Sequence, residues 1–169
     1  MCESGKELNW YVLYTKSRSE KKVNQRLINI GIETYLPLKK SVRQWSDRKK
    51  IVDMPLINSY IFIKTRRDNL FELIKIEGIT RYISFSGRPV VVRQKEIDIL
   101  KKFLEEGTDI EVLDGVPKVG KDIKFTSGIF KDYKGKILKV NRKNQLQIEI
   151  ESINKTLVVT VDLDVIKLA

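Results

Sequence analysis

The 169-residue chain contains no histidine. The commonest general base and the commonest transition-metal ligand are therefore absent. Cysteine occurs once, as Cys2. One thiol allows no internal disulfide and no clustered Cys/His zinc site, and it fits a reducing cytoplasm. Neither common type of glycine-rich phosphate loop occurs. No apolar run approaches the roughly 20 residues of a membrane span. The stretch from Met1 to Glu7 has no apolar signal region. An enzyme built on this chain would rest on Asp, Glu, Lys, Ser or Tyr alone, and no such set stands at a recognisable spacing. The expectation is a cytoplasmic protein that is not an enzyme, with no metal, no cofactor and no membrane contact.

What is present is enough apolar residue for a core (41% hydrophobic) under a highly charged surface (33% Asp, Glu, Lys and Arg). The length allows one domain or two small ones. The formal net charge is +11 and is unevenly spread. Residues 1–106 carry 22 basic against 13 acidic side chains, a net of +9; residues 107–169 carry 11 against 9, a net of +2. A basic excess confined to one part points to a polyanionic partner such as DNA or RNA. The competing reading is a charge excess that only solubilises.

Residues 1–8 read as a flexible tail. Trp10-Tyr11-Val12-Leu13-Tyr14 is a strand, apolar on both faces. Ser17 then stands as N-cap with Glu20 three residues on, a capping box. Val23, Leu27 and Ile30 recur at helical spacing, and Gly31 closes the helix. Its other face carries Arg18, Lys21, Lys22 and Arg26. Ile32 to Leu38 reads as a strand broken by Pro37. Lys39 to Lys50 holds six cations against Asp47, with Trp45 in the middle. It is a hairpin or mobile loop, able to grip phosphates and stack on a base or else merely solvated.

Met54 to Lys64 is the most apolar run of the first two-thirds. Tyr60-Ile61-Phe62-Ile63 is a strand. Leu56 and Ile57 stand in the turn before it, where apolar side chains are either tucked under the fold or offered to a partner. A short helix capped by Asp68 follows, with Leu70, Phe71 and Ile74, ended by Gly78. Ile79 to Phe85 alternates as a strand, Ser86 to Pro89 turns, and Val90-Val91-Val92 is a short strand. Lys95 to Glu106 is a helix with Ile97, Leu100 and Leu104 inward. This order predicts an α+β fold, helices flanking one mainly antiparallel sheet. Gly107 to Pro117, acidic and without periodicity, reads as a linker. Beyond it the character is all β. Strands at 122–125, 136–140, 146–150, 157–161 and 165–168 fit a small SH3-like five-stranded β-barrel.

Three stretches carry a family likeness: Trp10-Tyr11-Val12 at the opening; Pro55-Leu56-Ile57-Asn58-Ser59-Tyr60-Ile61-Phe62; and Gly128-Ile129-Phe130, four residues, then Gly135-Lys136-Ile137. On these the chain, from about Trp10 to Leu168, resembles the bacterial NusG-type transcription elongation factors. The second stretch takes the place of their Phe-Pro-Gly-Tyr-Val segment, and the third resembles their KOW motif. The resemblance implies a NusG-type N-terminal domain over 9–106, a linker over 107–117 and a KOW domain over 118–169. It implies a monomer that binds RNA polymerase at the clamp helices of the largest subunit, across the nucleic-acid cleft, and suppresses pausing and termination.

By the same resemblance Tyr14, Ile57 and Tyr60 form the polymerase-binding patch, with ordinary core as the competing reading. Lys16, Arg18, Lys22 and Arg26 face upstream or non-template DNA. Ile129 and Phe130 in the KOW loop meet a small-subunit ribosomal protein or termination factor Rho. Asn58-Ser59 departs from the Pro-Gly of the general factors. That departure, with the Trp10-to-Lys16 and Pro55-to-Tyr60 segments, is closer to the specialised paralogues (the RfaH, LoaP and UpxY group), which act at particular long operons. A general NusG-type factor and a KOW-type RNA-binding ribosomal or assembly protein are the alternatives. The helical refolding of the second domain known in RfaH is not expected here. Leu146 to Ile150 and Leu157 to Val161 are β-branched and alternate at period two.

Overall fold

The computed structural model describes residues 7–45, 47–105, 110–115, 121–124, 134–140 and 143–161. The chain divides into two compact units, Met1–Gln94 and Lys95–Ala169.

The first unit is built on a four-stranded sheet in the order β2-β5-β1-β6. Its centre is β1 (Asn9–Thr15) paired antiparallel with β5 (Tyr60–Thr65) on one side and with β6 (Ile79–Tyr82) on the other. Tyr11, Val12 and Leu13, which point alternately to the two faces, are all buried, as a strand apolar on both faces requires. β2 (Glu33–Tyr35) closes the sheet against β5. Tyr11, Leu13, Ile61, Ile63 and Ile79 line one face, and α1 (Glu20–Asn29) lays Val23 and Leu27 on it. Leu70 and Leu73 of the short α2 (Leu70–Leu73) join the same core.

That burial pushes the Tyr11 phenol above its ordinary pKa of 10.0, against a bond from Asn9 and the Arg67 charge, which pull it down. A raised folded pKa gives stability that is present below about pH 10 and lost as pH rises through the folded value. Tyr11→Phe is therefore expected to flatten the alkaline loss of stability, as read by denaturant melts between pH 9 and 11.

Several boundaries differ from the sequence reading. Helix α1 begins at Glu20 with Ser19 as N-cap and no side-chain cap bond, so the Ser17 capping box does not form. Gly31 does end the helix, at φ 79. Ile30 is exposed, beyond the last helical turn. The basic stretch is an ordered arm of β3 (Leu38–Gln44) and β4 (Lys49–Pro55), paired antiparallel as their own ribbon. Ile79 to Phe85 splits into β6 and β7 (Ser84–Phe85), and β7 folds back on β8 (Arg88–Pro89). Ser86 and Gly87 both take positive φ there, the requirement of the tightest hairpin turn. Val92 meets Trp10 only through an isolated bridge.

Helix α3 (Gln94–Glu105) lies, from Lys95 on, in the second unit. It buries Ile97, Ile99, Leu100 and Phe103; Phe103, not Leu104, completes the apolar stripe. Its Glu96, also buried, accepts hydrogen bonds from the Ser152 backbone N–H (3.2 Å) and from Ser152 Oγ. The unit's sheet is antiparallel in the order β10-β11-β12-β13-β9. Its strands are β9 (Ile110–Asp114), β10 (Lys121–Lys124), β11 (Lys134–Val140), β12 (Lys143–Ile150) and β13 (Lys155–Val161).

Residues 110–114, expected inside a linker, are thus an edge strand. Ile110 and Val112 stand opposite Val159 and Leu157, and three acidic neighbours hide that alternation in the sequence. The expected strand at 165–168 lies outside the described residues. Leu146 and Ile148 stand opposite Val159 and Leu157 on one buried face.

Candidate functional site

Strand register brings Tyr14 of β1 opposite Tyr60 of β5 and opposite Arg81 of β6. Opposed residues of an antiparallel pair share a face. The three side chains therefore form one row across three strands, on the face away from Val23 and Leu27. The two rings meet edge to face, centroids 5.7 Å apart and planes at 81°. The Arg81 guanidinium lies 5.2 Å from the Tyr14 centroid, a cation–π distance. Both tyrosines are half-buried.

Ile57, expected beside them at the surface, is 3% exposed. Leu56 is buried too. The turn between β4 and β5 tucks both inward, since Leu56 N–H donates to the Pro37 carbonyl (2.8 Å) and Thr15 N–H to the Ser59 carbonyl (2.8 Å). The Ile57 carbonyl accepts the Tyr60 N–H at 3.4 Å, so Ile57 belongs to the turn that leads into β5.

That turn is fixed from the helix. Glu20, buried at the first helical position, accepts the Ser59 N–H at 2.8 Å through Oε1. Ser59 itself sits at φ 63, a left-handed conformation that favours glycine. One carboxylate thus ties the start of the basic helix to the turn below the tyrosine pair. Nothing in the local sequence marks this bond, because Glu20 and Ser59 are 39 residues apart. Glu20→Ala leaves a buried N–H without its acceptor and is expected to cost about 2 kcal/mol. Glu20→Gln, which keeps an acceptor, is expected to cost about half that. Denaturant melts of the two variants check both values.

The cations expected to face nucleic acid are not equivalent. Lys16, Arg18 and Lys22 are exposed. Lys16 anchors through its backbone N–H, which donates to the Gly78 carbonyl at 2.8 Å, leaving the ammonium outward of the helix start. Arg18 holds φ 62, the second strained non-glycine residue beside Glu20. Arg26 is engaged. Its Nη2 pairs with Glu77 at 2.7 Å and its Nη1 donates to the Glu77 carbonyl, which pins the helix to the turn before β6. Arg18, Glu20 and Lys21 line one wall of a cleft of about 390 Å³, with Asp53, Met54 and Asn58 opposite. Its mixed charge, two cations and two carboxylates, marks no single ligand. Ile129 and Phe130 lie outside the described residues.

No cluster of three metal-ligating side chains occurs among the described residues. Nor is any helix there long and apolar enough to cross a membrane. The described residues thus form an antiparallel sheet carrying a basic helix, and a second, smaller antiparallel β unit. Comparison with known proteins gives the family. The family model described as transcription termination factor nusG matches residues 8–101, and the chain belongs to the NusG family. The transcription termination/antitermination protein NusG of Borreliella burgdorferi is 23% identical over 90% of this chain and 94% of its own. The protein of the same name from Neisseria meningitidis is 25% identical over 84% of this chain and 87% of its own. A solved structure describing domain interaction in Thermotoga maritima NusG has the same fold. It covers 90% of this chain and 93% of its own, with a TM-score of 0.55 at 21% identity.

Proposed function

We propose that the chain binds RNA polymerase through Tyr14 and Tyr60, bridges the nucleic-acid cleft, and disfavours pausing and termination. The observation that carries this is the tyrosine pair. Two large aromatic side chains stand half-exposed in fixed register on a rigid sheet, with Arg81 beside them. Preorganised aromatics with an arginine are the residues that dominate protein interfaces. The role of Ile57 is to position the Tyr60 turn, not to enter a partner groove. The partner surface is the clamp-helix coiled coil of the largest subunit, and Lys16, Arg18 and Lys22 face upstream or non-template DNA. Arg26 holds the fold. The mechanism is a population shift: the factor binds the active polymerase conformation more tightly than the paused one.

The first unit is assigned as a NusG-type domain and the second, with the 110–114 edge strand in its sheet, as a KOW domain that carries a ribosomal-protein or Rho contact at Ile129 and Phe130. The chain works as a monomer in the cytoplasm. The role favoured is that of a specialised antiterminator at long operons. Its support is local: Ser59 occupies a left-handed position where a glycine would be unstrained, and Glu20 holds it there. A general role is the second reading, favoured by the name that both relatives bear. Position of the gene at the head of a long operon supports the first; position among translocation and ribosomal genes supports the second.

The test is a titration of a clamp-helix fragment of bacterial RNA polymerase with the full chain. Saturable binding is expected, and its absence refutes the assignment. Lys16→Ala/Arg18→Ala/Lys22→Ala is expected to leave that binding intact. On a complete elongation complex the same triple variant lowers the salt slope of binding by about 2 to 3, roughly one per lost phosphate contact.

A further inference from the structure

The β3–β4 arm has features that the fold alone does not require. Its eighteen residues, Leu38–Pro55, carry six cations against two acids, a net of +4. In the ribbon's register Arg43 stands directly opposite Lys50, and like charges opposed in this way destabilise a ladder. Among the described residues no ion pair engages Arg43, Arg48, Lys49 or Lys50. On the opposite face Val42 stands across from Ile51, and both are about two-thirds exposed. At the tip Trp45 is 59% exposed, and its N–H donates to the Arg48 carbonyl (2.9 Å) to close the turn. A two-stranded ribbon is marginal by itself. A sequence shaped only for stability would neither oppose two cations nor leave an aromatic and two β-branched residues in water.

We propose that this arm is a binding surface for single-stranded nucleic acid, carried by residues other than Lys16, Arg18 and Lys22 of the helix face. Phosphates neutralise the Arg43–Lys50 pair, and an unpaired base stacks on Trp45 at the tip. Val42 and Ile51 supply apolar contact for a neighbouring base. Charge complementarity selects a polyanion. The exposed aromatic selects unpaired bases, because a duplex hides its base faces. A ribbon inserted into a duplex major groove is the geometric rival. The inference rests on the reading of the chain as a factor that works beside nucleic acid, but it needs no polymerase.

The experiment titrates the full-length chain with a fluorescein-labelled oligothymidylate of about 12 nucleotides, within the usual single-strand site size. It follows anisotropy and intrinsic tryptophan emission at several salt concentrations. The chain has two tryptophans, and Trp10 is buried with its Nε1–H donated to Gln94 at 2.7 Å. Quenching therefore reports Trp45. The expected result is saturable quenching by the single strand, with weaker binding of a duplex of equal length. Trp45→Ala weakens single-strand binding about tenfold, and Arg43→Ala/Lys50→Ala lowers the slope of log K against log salt by about 1.4. All three positions are exposed and the double variant removes a like-charge opposition, so thermal melts no lower than wild type accompany these losses. The proposal is overturned if Trp45→Ala and the double variant bind as wild type does, if emission does not change, or if the duplex binds more tightly. Because no polymerase is present, failure here leaves the Tyr14–Tyr60 assignment standing, and failure of the clamp-helix titration leaves the arm standing.

Discussion

Replacing Gly78 by alanine is expected to lower the stability of the first unit by about 3 kcal/mol. Gly78 has φ +98, and a Cβ built there would lie 2.7 Å from Val23 Cγ2. Val23 is fully buried under the sheet and cannot move aside cheaply. The Gly78 carbonyl also accepts the Lys16 N–H, so any backbone shift that relieves the clash loosens the start of the basic helix. Gly31 and Gly87 provide the comparison. Both have positive φ, but no atom lies within 4 Å of a Cβ at either position. Alanine there bears only the backbone cost of about 1 kcal/mol. Denaturant melts of the three variants decide the matter. Equal losses at Gly78 and Gly31 would show that the contact with Val23 carries no weight.

The second large effect is on recognition. Tyr14→Ala/Tyr60→Ala is expected to weaken binding to the clamp-helix fragment by about 30-fold or more, the scale of a central aromatic hot spot. The two rings brace each other edge to face, so removing one loosens the other, and the single variants will not add. Because each side chain is only half-buried, the pair's removal costs the fold less than it costs the complex. Ile57→Asp is a poorer probe. It places a carboxylate at a buried position and disrupts the turn whether or not a partner binds there.

Much of the first unit was legible because its signals are local. The apolar block at Trp10 to Tyr14, the 3.6-residue spacing of Val23 and Leu27, and the Tyr60–Ile63 strand each name their own element. The NusG likeness rested on Trp10–Val12 and Pro55–Phe62, which fall inside the family match over residues 8–101, and on 128–137, which lies beyond it. What was misread depends on distant partners. Ser17 and Glu20 stand at capping-box spacing, but the buried Glu20 carboxylate bonds Ser59 instead. Leu56 and Ile57 lie in a turn, and only the closing of that turn over the core hides them. Arg26 has the sequence signature of a free basic face, and its engagement by Glu77 comes from a turn 51 residues away. β9 was missed because its charge pattern resembles a linker and its pairing partner is β13.

The central claim is that the tyrosine pair carries the factor onto polymerase and that binding there disfavours the paused state. Its most direct measurement is single-round transcription on a template with defined pauses and an intrinsic terminator, run without factor, with wild type and with Tyr14→Ala/Tyr60→Ala. Wild type is expected to shorten pause dwell about fivefold and raise readthrough, with the double variant close to no factor. Equal activity of wild type and the double variant, or no effect of either, would contradict the account.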